Sequence, residues 1–253
     1  MLGHDSIGDG GTAVIVLNDW MGDTSTWDGV RPYLDTSALR WIFADLRGYG
    51  RSRAQAGAFN ADEAAADVIA LADALGLARF ALVGHSMSTR VVLRVLQQWP
   101  QRVMRAVLIT PPAPGGMALP EGVRGYLRGL AMAGDDGRLA GLAANAGTRL
   151  SPQWLAYKVA RWRACAEPRA AAAYVDMFGA SHTCDGAPVT VPVLAITGEQ
   201  DGESMRSAAV ARAWGPLCSD LTVAPLADCG HYPMQEAPPL LGALVQRFVG
   251  EAA

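Results

Sequence analysis

No apolar run in this sequence approaches the length of a membrane span. The first, Ala13 to Leu17, has five residues, against about 20 needed to cross a bilayer. Met1 to Gly11 has no basic stretch leading into an apolar one, so neither a signal peptide nor an anchor is expected. Cysteine is scarce: Cys165, Cys184, Cys218 and Cys229 show no C-x-x-C spacing, and reduced thiols are expected. Positive charge is not in excess either. Lys plus Arg number 21 against 24 Asp plus Glu, a net charge of -3, which makes nucleic acid an unexpected partner. No Lys/Arg-rich amphipathic stretch suits an anionic membrane surface. A cytoplasmic protein is the resulting expectation. Apolar material, by contrast, is plentiful: 51% of 253 residues is ample for one substantial core.

Short apolar runs alternate with helical patterns. Ala13 to Leu17, Trp41 to Ala44, Phe80 to Val83, Ala106 to Thr110 and Val193 to Thr197 are continuous and rich in β-branched residues. Such runs read as strands buried on both faces of a parallel sheet. Leu221 to Leu226 reads as a further strand, nearer an edge. Asn60 with Glu63 resembles a capping box, and Ala65, Val68, Ile69, Ala72 and Leu75 then share one helical face. Met87 to Trp99 reads as a second helix, stopped by Pro100. The alternation predicts an α/β fold, a doubly wound, mainly parallel sheet with helices on both faces. From Pro111 to Val191 no convincing strand appears. Prolines bound this segment, and Ser151-Pro152 is a good helix start inside it. The expected organisation is therefore a core of residues 1–110 and 192–253 with a helical cap, 111–191, over the strand ends.

The strand Phe80 to Val83 runs into Gly84-His85-Ser86-Met87-Ser88, and a helix follows. A serine at the apex of a strand–turn–helix is a nucleophile elbow. The turn strains the serine backbone, so residues two away must be small, and Gly84 and Ser88 both are. The Met87 N–H, at the start of the following helix, is placed to donate to an oxyanion. A hydroxyl needs a base. Of four histidines, His4 lies at the terminus, His85 should point away from the serine and His182 sits in the expected cap. His231 follows the last strand and is the expected base. Asp201, in the loop after Val193 to Thr197, is the expected orienting acid, with Glu199 in reserve. The order Ser86, Asp201, His231 is that of nucleophile, acid and base in this architecture.

These motifs, with Asp45-Leu46-Arg47-Gly48-Tyr49-Gly50-Arg51-Ser52 and Gly230-His231-Tyr232-Pro233, resemble the α/β-hydrolase superfamily over nearly the whole chain. The likeness is to small serine esterases and lactonases with a GHSM-type elbow. It implies the α/β-hydrolase fold, a helical cap, no metal and no organic cofactor. Family members carry His-Gly after the first parallel strand, and the next N–H helps bind the oxyanion. Here Asn18-Asp19 stand in that place, and the Trp20 N–H takes the role. A carboxylate at Asp19, if turned inward, either opposes the oxyanion or serves substrate binding. Little room precedes Ala13, so one short strand and a reduced sheet are expected there.

The candidate pocket residues are Asp19, Trp154, Trp162, His182 and Tyr232, with Trp20 as a pocket wall and Met87 as an apolar neighbour of the serine. Trp154 and Trp162 equally suit a core. His182 and Cys184 lack further ligands at matching spacing, so no metal site is expected. The function these features imply is hydrolysis of a small to medium, largely apolar ester or lactone through an acyl-enzyme. Thioester or C–C cleavage, perhydrolysis, a ligand-binding receptor and a cofactor-free oxygenase are the alternatives on the same framework.

Overall fold

A computed structural model of the chain describes residues 1–146, 150–182, 184 and 188–251. Seven strands form one sheet: β1 (His4–Ile7), β2 (Thr12–Leu17), β3 (Leu39–Ala44), β4 (Phe80–His85), β5 (Val103–Ile109), β6 (Val193–Gly198) and β7 (Leu221–Leu226), in the order β1-β3-β2-β4-β5-β6-β7. Only β1 is antiparallel, pairing His4 with Ala44 and Ile7 with Trp41. It is the single short strand expected before Ala13. The runs read as doubly buried strands are so: β4 is buried throughout, and Val14, Ile15, Ile42, Val107, Leu108 and Ile196 are sealed from solvent. β7 lies at the sheet edge with mixed burial.

The helices follow from the same patterns. Helix α1 (Ala61–Ala74) starts where Asn60 caps the Glu63 N–H. The reciprocal bond goes one residue further back than in a capping box: Glu63 accepts from the Phe59 N–H. After β4 a 3-10 turn, Ser86–Ser88, precedes α2 (Thr89–Gln98), so the α-helix begins two residues later than its apolar pattern suggests. Helices α3 (Glu121–Met132), α4 (Asp135–Asn145), α5 (Pro152–Cys165) and α6 (Pro168–Gly179) occupy the stretch between β5 and β6, and Ser151 caps α5 through the Trp154 N–H. Part of the expected cap, residues 147–149, 183 and 185–187, lies outside the described residues. Then come α7 (Ser207–Trp214), α8 (Pro233–Glu236) and α9 (Pro238–Gly250).

Right-handed crossovers put α1, α2 and α7 on one face of the sheet. On the other face, α9 packs with two 3-10 turns that join β2 to β3, where Trp27 and Val30 meet Leu241 and Val245 over Val16 and Phe43. The strand order reverses at β2 and β4, so the loops leaving those two strands diverge and a crevice opens at their carboxyl ends. No helix among the described residues is long and apolar enough to cross a membrane. Among the described residues no disulfide joins the four cysteines.

Candidate active site

Strand β4 delivers Ser86 into the crevice with φ at +52°, a left-handed conformation costly for a residue with a side chain. The turn is tight enough that a Cβ on Gly84 would stand 2.7 Å from Val92 and 2.9 Å from the Ser88 backbone. Ser88 does more than fit. Its hydroxyl accepts from the His85 N–H at 2.9 Å and donates to the His85 carbonyl at 3.1 Å, bracing the strained apex.

Ser86 Oγ lies 2.8 Å from His231 Nε2, and His231 Nδ1 lies 2.7 Å from Asp201 Oδ2. The loops carrying the last two residues are stitched together: the Glu199 N–H reaches the Leu226 carbonyl, and the Gln200 N–H the Cys229 carbonyl. Their approach requires glycine at 198, where a Cβ would stand 2.1 Å from the Gly230 carbonyl oxygen. Asp201 Oδ1 accepts from the Gly202 N–H at 2.7 Å. Glu199 is turned the other way. It binds the Ser207 N–H and hydroxyl at the start of α7, and the Thr197 hydroxyl. Burial pushes the His231 imidazole down, but the charge and hydrogen bond of Asp201 outweigh this and hold it above its ordinary value.

Residues not singled out from the sequence fix the His231 loop. Its carbonyl accepts from His85 Nε2 at 2.7 Å and from the Thr110 hydroxyl at 3.3 Å. Thr110 itself has φ at +42° at the end of β5, an unusual conformation for a β-branched residue. Buried Glu236 accepts from the Gly230 and Tyr232 N–H groups on either side of the histidine.

On the opposite wall, Asn18 shapes the loop after β2. Its amide donates to the Asp19 and Gly22 carbonyls, and its oxygen accepts the Leu46 N–H. The Tyr49 hydroxyl holds the Trp20 carbonyl at 2.9 Å, which ties the Asp45 to Ser52 turn to this loop. The Asp19 carboxylate takes the Met21 N–H at 2.6 Å, so Met21 is occupied while the Trp20 N–H has no acceptor among the described residues. Asp19 does turn inward, where buried Lys158 from α5 meets it at 3.1 Å. Burial alone would raise the Asp19 carboxyl; the Lys158 ammonium, with the His85 ring beside it, outweighs this and holds the group well below the usual carboxylate range.

A cavity of about 220 Å³ joins these parts. Asp19, Trp20, Met21, Ser86, His231 and Tyr232 line its floor, and Pro112, Met117, Leu119, Val123, Leu127, Phe178 and Met205 close it with apolar surface. Three sequence candidates are not in its wall. Trp162 is buried behind Trp20, rings 5.1 Å apart, because α5 turns that face into the core. Trp154 packs 5.3 Å from the outer side of Tyr232 and reaches Gln235. His182 is exposed, bonded to the Asp176 carbonyl, on a groove with Arg90 and Cys184. No cluster of three metal-binding side chains occurs among the described residues.

Residues 14–242 match the model of the alpha/beta hydrolase family. The chain belongs to that family. Two curated relatives from Pseudomonas putida align with it in part. The dihydrolipoyllysine-residue acetyltransferase component of an acetoin cleaving system is 35% identical over 127 residues, 50% of this chain and 33% of that protein. N-formylmaleamate deformylase is 34% identical over 140 residues, 51% of this chain and 50% of that protein. These matches thus span a third to a half of the relatives' length. Among solved structures, the enol-lactonase of Burkholderia xenovorans superposes with a TM-score of 0.85 at 22% identity, covering 99% of this chain and 96% of the other. That likeness is one of fold, among the described residues.

Proposed function

We propose that this chain is a serine hydrolase that cleaves a carboxylic ester or lactone through an acyl-enzyme. The observation that carries the reading is the unbroken run Ser86 Oγ–His231 Nε2–Asp201 Oδ2, at 2.8 and 2.7 Å, opening into an apolar cavity. Ser86 attacks the substrate carbonyl as His231 takes its proton at Nε2. Asp201 fixes the imidazole with Nδ1 protonated and stabilises its charged form. The N–H groups of Trp20 and Met87 hold the oxyanion. His231 returns the proton to the leaving oxygen, and water, activated by the same histidine, releases the acid. Helices α3 to α6, within residues 111–191, act as a cap whose apolar side chains select a small to medium substrate. The similarity to a deformylase over half the chain supports acyl cleavage as the reaction type.

The test is release of p-nitrophenol from short-chain p-nitrophenyl esters by wild type and Ser86→Ala. Wild type is expected to give a burst of one equivalent followed by turnover, and the variant neither. Substantial turnover by folded Ser86→Ala would refute the mechanism.

A further inference from the structure

The wall opposite His231 holds a buried ion pair that the reaction above leaves unused. Lys158 is the only lysine in the chain; the other basic residues are all arginine. It extends from α5 to Asp19, and Nζ also donates to Thr26 Oγ1 at 3.0 Å and lies 5.3 Å from the centre of the Tyr232 ring. Both charged groups are almost wholly excluded from solvent. Space for the ammonium comes from Gly22, where a Cβ would stand 2.5 Å from Nζ.

Asp19 needs this cation. His85 Nδ1 is 3.4 Å from Asp19 Oδ2 but is too poorly aligned to hydrogen-bond. The ring Nε2 donates to the His231 carbonyl, and burial pushes the imidazole toward its neutral form, so the ring is a weaker charge partner for Asp19 than an ammonium. The neighbouring Arg161 is committed to Asp23 at 2.7 Å. Lys158 is thus the charge partner of Asp19 among the described residues. An unpaired carboxylate here would sit one residue from the Trp20 N–H, in the same cavity wall as Ser86. In a site with little water it would repel the oxyanion that the N–H must stabilise.

We propose that Lys158 is a positioning residue of the active site: its ammonium neutralises Asp19 and pins the loop bearing the Trp20 N–H, so that an oxyanion can form beside a fixed carboxylate. This rests on the acyl-enzyme reading above. It also affects the base. His231 faces the carboxylates of Asp201 from the β6 loop, Glu236 from α8 and Asp19 from the β2 loop, with neutral His85 and Tyr232 alongside. Each carboxylate favours the protonated imidazole, and Lys158 offsets one of them.

The experiment compares wild type, Lys158→Met and Asp19→Asn/Lys158→Met on a p-nitrophenyl ester across pH, below the melting temperature of each. Lys158→Met is expected to lose about 100-fold in kcat with KM changed less than about threefold. The acid limb of its kcat/KM profile should move up by about one pH unit. The double variant, with no buried lone charge, should recover kcat to within about tenfold of wild type and restore the limb. Were Lys158→Met not to fold, the double variant decides: near-wild-type kcat and limb support the inference, and a loss as deep as Ser86→Ala overturns it. Lys158→Met with wild-type kcat and an unmoved limb also overturns it, while a wild-type burst leaves the acyl-enzyme reading standing. Absence of both burst and turnover in folded wild type would instead refute that reading, and this inference with it.

Discussion

Asp201 and Asp19 are both buried carboxylates in the crevice, one on the loop after β6 and the other on the loop after β2. Asp201 has a titratable partner, His231 at 2.7 Å, and is otherwise held by the Gly202 N–H. Asp19 has a permanent cation, Lys158 at 3.1 Å, and is otherwise held by the Met21 N–H. The first pairing leaves a histidine able to gain and lose a proton while keeping its orientation. The second removes a charge from play. The same residue type therefore contributes a reactive element in one wall and a silent one in the other, and the partner decides which.

The comparison breaks most sharply at Asp201. In the proposed reaction, Asp201→Asn leaves the packing intact but favours the wrong imidazole tautomer, and kcat should fall by about 10³- to 10⁴-fold. Steady-state ester hydrolysis with a circular-dichroism check of folding measures this. A loss of less than tenfold would assign the orienting role elsewhere. Glu199 is a poor substitute, since both its oxygens are engaged with Ser207 at the start of α7.

Asp19→Asn should act on stability instead. It strands the Lys158 ammonium in a buried site, and breaking such a pair costs about 3 kcal/mol. Chemical denaturation at neutral pH reads this. The cost carries a sign in pH. The folded Asp19 carboxyl titrates below its unfolded value, so its contribution is complete above about pH 4 and disappears as pH falls through the lower folded value. The gap between wild type and Asp19→Asn should therefore close in acid. A gap independent of pH would mean that the ion pair is not what the substitution removes.

How much of this was legible in the sequence follows the same division. Ser86, Asp201 and His231 stand at strand ends in one chain order, and the fold brings strand ends together, so local context sufficed to expect their meeting. So did the sheet, because continuous β-branched runs have few other homes. The direction of Asp19 was not legible. It depends on Lys158, 139 residues away on a helix whose rotation the sequence leaves open. The same rotation sends Trp162 into the core and Trp154 behind Tyr232, although both are aromatic residues on one helix. One signal was present in the composition: a solitary lysine among twenty arginines marks a place where a compact ammonium serves and a planar guanidinium does not. Ser88, expected only to be small, is explained in full once its hydroxyl is seen bonded to both the N–H and the carbonyl of His85.

The pH dependence of turnover sharpens the contrast further. Because Asp201 holds His231 above its ordinary value, the acid limb of kcat/KM should lie above about pH 6.5, activity rising as the imidazole loses its proton. In Asp201→Asn the limb should move down by about one pH unit. In Asp19→Asn it should move down by less, since Asp19 acts on His231 at longer range and through no hydrogen bond. Equal shifts in the two variants would erase the distinction between a partnered and a neutralised carboxylate.

The smallest effect isolates the geometry of the second pair from its charge. Thr26 Oγ1 accepts from Lys158 Nζ at 3.0 Å and lies 3.5 Å from Asp19 Oδ2, so one hydroxyl bridges the two ions. Thr26→Val keeps the shape and both charges and removes only the bridge. The bond from the ammonium and the longer one to the carboxylate are both lost, and the expected destabilisation is about 1.5 kcal/mol, with kcat within about threefold of wild type. Thermal melts and ester hydrolysis on the same preparation test both numbers. A deeper loss of kcat, without a matching loss of stability, would show that the ammonium must be aimed as well as present, because its charge is unchanged and only the constraint on its position has gone.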